Sequence, residues 1–190
     1  MNAEEVFDRA VEELRAGRAV VFPTDTVYGL GVAVAHASGP EAIYELKRRD
    51  AGKPVAWLVG DVADLERYGR DVSPEVFELA RRFWPGALTI IVNASAAVPR
   101  AFAPTGTIGL RMPASEVALA LAHSVGPLAT SSANRAGQPA PQTLAQVDER
   151  ILSAVRAVLP DEAPASGISS TVVDATSPEL AILRQGSVRL

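Results

Sequence analysis

The 190-residue sequence predicts an α/β fold, in which a sheet is covered by helices and antiparallel strands are added late in the chain. The first observation is that segments with helical spacing of apolar residues alternate with short apolar runs typical of buried strands. The second is that 48% of the residues are hydrophobic, which is ample for one core. The third is that no internal repeat or polar linker divides the chain. We therefore expect a single domain over residues 1–190.

Each element follows from a local pattern. Residues 3–16 have apolar side chains at helical spacing between a candidate N-cap, Asn2, and a candidate stop, Gly17, and residues 19–22 form a short buried strand. Further helices are predicted at 40–49, 61–69, 74–84, 115–125 and 143–155. Further strands are predicted at 55–59, 87–92, 107–111, 127–131, 171–174 and 180–183. The stretches 93–106 and 160–170 are rich in Ala, Pro, Ser and Gly and are predicted to be loops.

The composition excludes several classes of protein. Cysteine is absent, so disulfides, thiolate metal sites and a cysteine nucleophile are excluded. The formal charge of -4 argues against a protein that coats nucleic acid, but it is compatible with one local basic groove. A signal peptide has a basic segment followed by an apolar one, whereas the first residues of this chain are acidic. No apolar run is long enough to span a bilayer. We therefore expect a soluble, cytoplasmic protein.

The two lysines of the chain lie close together. Lys47 and Lys53 flank Arg48 and Arg49, whereas every other lysine or arginine position is arginine. Because lysine is a compact and rotatable charge, this cluster indicates a phosphate-bearing ligand. A solvated helix end, where cations suit the helix dipole, is the alternative explanation. The first explanation predicts that Lys53→Arg loses most activity and that Lys47→Arg is milder.

Polar residues follow several predicted strands, where ligands collect in open α/β sheets. Hydroxyls and glycines occupy 24–31, and hydroxyls, an amide and free N–H groups that could cradle a phosphate occupy 130–137. Turns and helix caps use the same residue types, so both explanations remain open. Arg111 and Arg184 each end an apolar strand, which indicates an anion contact or a surface ion pair.

Several kinds of catalytic site are missing from the sequence. There is no P-loop and no complete dinucleotide fingerprint. His36 and His123 have no neighbours at metal-ligand or triad spacing, and we assign neither a role. An enzyme with this sequence would therefore work mainly by positioning anions and neutralising their charge.

Seven motifs, in order, give the chain a family resemblance. They are PTDTVYGLG at 23–31, KxR at 47–49 followed by KP at 53–54, WPGALT at 84–89, GLRMP at 109–113, SSANxxG at 131–137, STVVD at 170–174 and LRQG at 183–186. Together they resemble the YrdC-type threonylcarbamoyl-AMP synthases from about residue 18 onward. The resemblance implies an open, twisted mixed sheet flanked by helices, with a concave and positively charged cavity. Because the last motif lies close to Leu190, the chain is similar to the short, single-domain members.

The resemblance also implies a reaction and its partners. A nucleotidyltransferase of this family joins L-threonine, bicarbonate and ATP into L-threonylcarbamoyladenylate and pyrophosphate, for the threonylcarbamoyl (t6A) modification of tRNA adenosine 37. Mg²⁺ would arrive with the ATP, and no protein-bound metal or organic cofactor is expected. Expected partners also include double-stranded RNA or tRNA and the threonylcarbamoyl-transferase machinery downstream. No membrane contact is expected.

Ten positions of this sequence match residues with a role in the family. The resemblance implies threonine contacts at Thr26, Arg111 and Ser170. It implies ATP contacts at Lys47, Arg49, Lys53, Thr107, Ser132, Asn134 and Arg184. No side chain is expected to act as a nucleophile, and charge stabilisation is expected from Lys53 and Arg49.

Two departures and two rival functions accompany this resemblance. Some relatives have a histidine in the strand at 55–59, and this chain lacks that histidine. Ala140 replaces a serine that is frequent in relatives.

One rival is the carbamoyl-transferring module of hydrogenase maturation, which carries further acylphosphatase-like and zinc-binding segments. The other is a double-stranded RNA-binding module without catalysis. The acidic net charge and the threonine-sized set of polar residues favour the enzyme.

Overall fold

The strands of the protein form one mixed sheet. The structure, a computed structural model, describes residues 2–160 and 165–190. The described strands are β1 (Val20–Phe22), β2 (Gly29–Ala33), β3 (Ala56–Leu58), β4 (Gly69–Arg70), β5 (Leu88–Ala94), β6 (Thr107–Arg111), β7 (Leu128–Ser132), β8 (Thr171–Asp174) and β9 (Ala181–Arg184). The described α-helices are α1 (Ala3–Arg15), α2 (Glu41–Lys47), α3 (Asp64–Tyr68), α4 (Pro74–Phe83), α5 (Glu116–Val125) and α6 (Glu149–Ala154), and a 3₁₀ turn covers Leu144–Gln146.

The sheet is open, with β1 at one edge and β9 at the other. Its strand order is β1-β2-β7-β3-β6-β5-β8-β9, and the short β4 pairs with β5. The β3–β6 and β5–β8 pairs are parallel, and the remaining pairs are antiparallel. The predicted α/β class with an open mixed sheet is therefore confirmed, but antiparallel pairing begins with β1–β2 and is not limited to the late strands.

Two hydrophobic cores cover the two faces of the sheet. The larger core packs apolar residues of α2, α3, α4 and α6 against one face, with Trp57 buried between Tyr68 and Phe102. The smaller core packs α1 and α5 against part of the other face, around Phe22 and Leu128. Because strand side chains alternate between faces, each buried strand contributes to both surfaces.

Strand β2 was not predicted, because its glycines indicate a ligand-binding loop or a turn in the sequence. Gly29 and Gly31 pair with both β1 and β7. A Cβ at either glycine would lie 3.1 Å from the Phe22 ring, so both glycines make room for this ring in the sheet. All five residues of β2 are buried, but its two glycines lack the side chains from which a strand is predicted.

The predicted helix at 143–155 was wrong as a single element. The chain forms the 3₁₀ turn first, and α6 begins only after Asp148, whose side chain accepts a hydrogen bond from the N–H of Arg150. The bounds predicted for β6 and β8 are correct, the other predicted boundaries differ by at most three residues, and β4 was not predicted. Residues 161–164 of the predicted loop 160–170 lie outside the described residues.

No helix in the described part of the chain is long and apolar enough to cross a membrane.

Candidate functional site: an arginine-lined cavity on the sheet

A cavity of about 350 Å³ lies on the sheet face that α1 and α5 cover only in part. In β6 the lining residues alternate along the strand: Thr107, Gly109 and Arg111 line the cavity. The intervening Ile108 and Leu110 point into the larger core. The site therefore lies on a face of the sheet, whereas the polar residues that follow the strands predicted it at the strand ends.

Arg111 is the most buried cation of the cavity. Its Nε donates to the backbone oxygen of Gly86 at 3.0 Å, and Nη1 donates to Thr26 Oγ1 at 2.9 Å. Its Nη2 lies 2.5 Å from Asp25 Oδ1. Burial lowers the pKa of Arg111, and the neighbouring Asp25 carboxylate opposes that shift. Arg111 is thus held by partners on three sides while it borders the cavity.

The loop before β2 positions Thr26. Thr24 Oγ1 accepts hydrogen bonds from the backbone N–H groups of Thr26 and Val27, at 3.2 Å each. The backbone oxygens of Asp25 and Thr26 accept from the N–H groups of Ser166 and Gly167, at 3.1 and 2.8 Å. The segment that leads to Ser170 is therefore attached directly to the loop that carries Thr26.

Ser170 and Arg184 form a neighbouring part of the cavity lining. Arg184 Nε donates to the Ser170 backbone oxygen at 2.9 Å, and its Nη2 donates to Ser170 Oγ at 3.1 Å. Ser170 Oγ also lies 2.8 Å from Thr89 Oγ1. Burial lowers the pKa of Arg184, and the positive charge of Arg111 lowers it further. Two arginines that repel each other mark a place where an anion would be stabilised.

Arg49 supplies a third cation from the loop after α2. Its Nη1 donates to Ser131 Oγ at 3.2 Å, and its Nη2 donates to the backbone oxygen of Pro54 at 3.0 Å. Its Nε is buried and has no hydrogen-bond partner among the described residues. No carboxylate of the described residues lines this cavity, although Asp25 lies behind Arg111.

Lys47 is not the solvated helix end that the sequence left open as an explanation. It is the last residue of α2 and is 3% exposed. Its Nζ donates to the backbone oxygen of Ser132, and to the backbone oxygen and Oδ1 of Asn134 at 2.6 and 3.2 Å. Burial lowers the pKa of Lys47 to about 8, and the positive charge of Arg49 contributes. Lys47 therefore braces the loop after β7 and does not line the cavity.

Lys53 and Asn134 also lie beside the cavity, outside its lining. Lys53 is exposed, and its Nζ pairs with Asp50 at 2.9 Å. Asn134 borders a neighbouring depression that also includes Ala140. Its Nδ2 donates to the backbone oxygens of Arg135 and Gln138, at 3.1 and 2.5 Å.

Seven of the ten positions named from the sequence line this one cavity. They are Thr26, Arg49, Thr107, Arg111, Ser132, Ser170 and Arg184. Four further residues hold these side chains in place and were not predicted as site residues: Thr24, Asp25, Thr89 and Ser131. For Thr89 the signal was the period of two along β5, which separates the cavity-facing Thr89 and Ile91 from the core-facing residues. Ser131 does not follow this period, because the neighbouring Thr130 and Ser132 also line the cavity.

The strand at 55–59 contributes an apolar part of the floor. Ala56 and Leu58 of β3 line the cavity. Within residues 2–160 and 165–190, no group of three or more His, Asp or Glu side chains is arranged to hold a metal ion.

Comparison with known proteins gives a family match and named relatives. The Sua5/YciO/YrdC family model, described as telomere recombination, matches residues 12–186. A threonylcarbamoyl-AMP synthase of Pyrococcus abyssi is 36% identical over 181 residues, and one of Bacillus subtilis is 33% identical over 183 residues. These matches cover 93% and 95% of this chain. The chain spans about half the length of these relatives, 53% in each case.

A solved structure has the same fold. The crystal structure of P. abyssi Sua5 complexed with L-threonine superposes with a TM-score of 0.89 at 34% identity. The superposition covers 98% of this chain and 55% of the Sua5 chain.

Proposed function

The chain belongs to the Sua5/YciO/YrdC family, and from this premise we propose that it is a threonylcarbamoyl-AMP synthase. The proposed enzyme joins L-threonine, bicarbonate and ATP, and it releases L-threonylcarbamoyladenylate, pyrophosphate and water. Its support comes from relatives that carry this name and from a family member that binds L-threonine.

One observation carries the proposal. The residues expected to contact threonine and most of those expected to contact ATP line the same cavity. A hydrogen bond joins Arg111 to Thr26, and another joins Arg184 to Ser170. A reaction between an amino acid and a nucleotide needs both sets within one enclosure, because its rate depends on proximity and orientation.

We assign roles to the lining residues on this basis. Thr26, Arg111 and Ser170 would hold L-threonine, with Arg111 on its carboxylate. Arg49, Thr107, Ser132 and Arg184 would contact ATP, and Lys53 and Asn134 would reach it from the border of the cavity. Lys47 would act on ATP indirectly, because its ammonium group is already bonded to the loop at 132–134.

The charges suit this chemistry. Threonine and bicarbonate combine to a carbamate with loss of water, and a carbamate oxygen then attacks the α-phosphorus of ATP as pyrophosphate leaves. Every reacting partner carries negative charge, so fixed cations reduce their mutual repulsion and stabilise the charge that develops on the phosphate. Mg²⁺ would enter with the ATP and share that charge. The protein supplies position and charge, and no side-chain nucleophile is needed.

The proposal includes partners beyond the small substrates. The adenylate would pass to a threonylcarbamoyl-transferase that modifies tRNA, in the cytoplasm. A direct contact of this chain with tRNA or double-stranded RNA is part of the same proposal.

A product assay tests the proposed function. Purified protein should release pyrophosphate from ATP only when L-threonine and bicarbonate are both present, and mass spectrometry should detect the threonylcarbamoyl adenylate. An Arg81→Gln variant serves as a control, because this residue is exposed on α4 and away from the cavity. Pyrophosphate release that does not depend on threonine would refute the proposal. Binding of double-stranded RNA with a steep salt dependence and no affinity for ATP would favour the binding module instead.

A further inference from the structure

A second hydroxyl lies directly behind Ser170. Thr89, on β5, is 5% exposed, and its Oγ1 lies 2.8 Å from Ser170 Oγ. Thr89 pairs with Val172 in the parallel β5–β8 ladder, which brings its side chain beside the segment that begins β8. Thr89 is the last residue of the WPGALT motif, but the resemblance assigns no substrate contact to its hydroxyl.

Packing fixes the direction of this hydroxyl. A Cβ at Gly109 would lie 3.2 Å from Thr89 Cγ2, so the Thr89 methyl group occupies the space that this glycine leaves open. A β-branched side chain in a strand has few χ1 rotamers. With its methyl group on Gly109, Thr89 presents its hydroxyl to Ser170.

The hydrogen bonds of Ser170 Oγ decide what this contact can do. A hydroxyl has one proton and two acceptor lone pairs. Arg184 Nη2 can only donate, so it occupies one lone pair of Ser170 Oγ. The proton between Thr89 and Ser170 therefore determines whether Ser170 presents a donor or a lone pair to the cavity.

We propose that Thr89 is a positioning residue that donates to Ser170 Oγ, so that Ser170 donates its own proton to an anionic oxygen of the bound amino acid. This inference rests on the proposed function, in which Ser170 contacts L-threonine. In the opposite orientation Ser170 would present only a lone pair to a negatively charged ligand, which is repulsive. With two donors behind it, the Ser170 hydroxyl is also polarised as a donor.

Substitutions at Thr89 test this arrangement. Thr89→Val keeps the branched shape and removes the hydroxyl, and Thr89→Ser keeps the hydroxyl. We expect Thr89→Val to raise the KM for L-threonine about fivefold to tenfold, as the loss of one hydrogen bond would, with kcat and the KM for ATP within about twofold of the original values. Thr89→Ser should restore the KM for threonine to within about threefold. Thermal melts establish that each variant folds, and Thr89→Ala replaces Thr89→Val if the latter does not fold.

A double-mutant cycle separates positioning through Ser170 from a general structural effect. In a Ser170→Ala background, adding Thr89→Val should change the KM for threonine by less than about twofold, because Thr89 acts only through Ser170. An undiminished effect in that background would overturn the inference, as would an unchanged KM in Thr89→Val alone. These results require an active parent protein. A parent that shows no threonine-dependent pyrophosphate release would instead refute the proposed function, and this inference with it.

Discussion

Arg111 and Asp25 form a buried ion pair, in which Nη2 lies 2.5 Å from Oδ1 and the side chains are 8% and 16% exposed. Arginine has five N–H donors. Asp25, Thr26 and the backbone of Gly86 each accept one of them, so two remain for a ligand. Asp25 therefore orients the guanidinium group and also supplies the counter-charge that allows its burial.

Asp25→Asn should destabilise the protein by roughly 3 kcal/mol, because removal of one partner leaves a buried and uncompensated charge. The variant should also bind L-threonine more weakly, since Arg111 loses the group that orients it. Urea unfolding at neutral pH measures the first effect, and calorimetric titration with threonine measures the second.

The exposed Arg81–Glu78 pair provides the matched control, with side chains that are 59% and 73% exposed. Glu78→Gln should cost at most about 1 kcal/mol, as is usual for surface ion pairs. An Asp25→Asn variant as stable as Glu78→Gln would show that the buried pair does not hold Arg111.

From the structure we expect the two lysine substitutions to have effects in the opposite order. Lys47 is buried against backbone oxygens, and a wide planar guanidinium group would not fit their arrangement. Lys47→Arg should therefore lose most activity, by about a hundredfold if the loop at 132–134 moves by about 1 Å. Lys53 is exposed, so Lys53→Arg should keep most activity and change stability by less than about 0.5 kcal/mol. Steady-state pyrophosphate release and urea unfolding compare the two variants, and greater damage from Lys53→Arg would contradict this order.

The burial of Lys47 could not be predicted from local sequence. A lysine at the end of a short helix has the same pattern whether it is solvated or faces another loop. Its partners, Ser132 and Asn134, lie more than eighty residues further along the chain. This contact depends on the position of β7 in the sheet, so the residues around Lys47 in the sequence do not indicate it.

The alternation of residue types along a strand predicted which residues face the cavity better than the sequence of the loops did. In β6, the alternation of Thr107, Gly109 and Arg111 with Ile108 and Leu110 separates the cavity from the core, and this can be read from the sequence. In β2, Gly29 and Gly31 lack the side chains that indicate a strand. They leave space for the Phe22 ring of the neighbouring strand, which the local pattern does not reveal. A strand can therefore be predicted from alternating residue types where both of its faces carry side chains. The pattern disappears where glycines make room for a neighbouring side chain.

The cavity should distinguish amino acids by their side-chain hydroxyl. Its lining combines hydroxyls, such as those of Thr26 and Ser170, with apolar residues, such as Ile91 and Val172. Valine would leave buried polar groups without partners, so it should be a much worse substrate than threonine. Serine lacks only a methyl group and should lose roughly 1–3 kcal/mol in kcat/KM. Competition between amino acids, followed by mass spectrometry of the adenylates, measures this order, and equal use of valine and threonine would refute it.

Lys47 should make stability and activity change in opposite directions above pH 8. Its pKa in the folded protein is lowered from 10.5 to about 8, so between these values the unfolded state binds more protons than the folded state. The free energy of unfolding should therefore rise with pH in this window, relative to a Lys47→Met variant. Deprotonation also removes one donor from the brace on Ser132 and Asn134. The kcat/KM for ATP, at saturating threonine, should therefore fall as pH rises through about 8.

Both trends can be measured with one pair of proteins. Urea unfolding at a pH of about 7.5 and of about 9.5 should show the parent protein gaining stability relative to Lys47→Met, because only the parent loses a proton from a buried ammonium group in this window. The pH profile of kcat/KM for ATP should have a falling limb in the parent, and this limb should be missing from the residual activity of Lys47→Met. The amine of the substrate threonine loses its proton in the same way in both assays. A difference between the parent protein and Lys47→Met is therefore due to Lys47. The same limb in both proteins, or no relative gain in stability, would show that Lys47 keeps its proton throughout this range and that its burial does not control the loop.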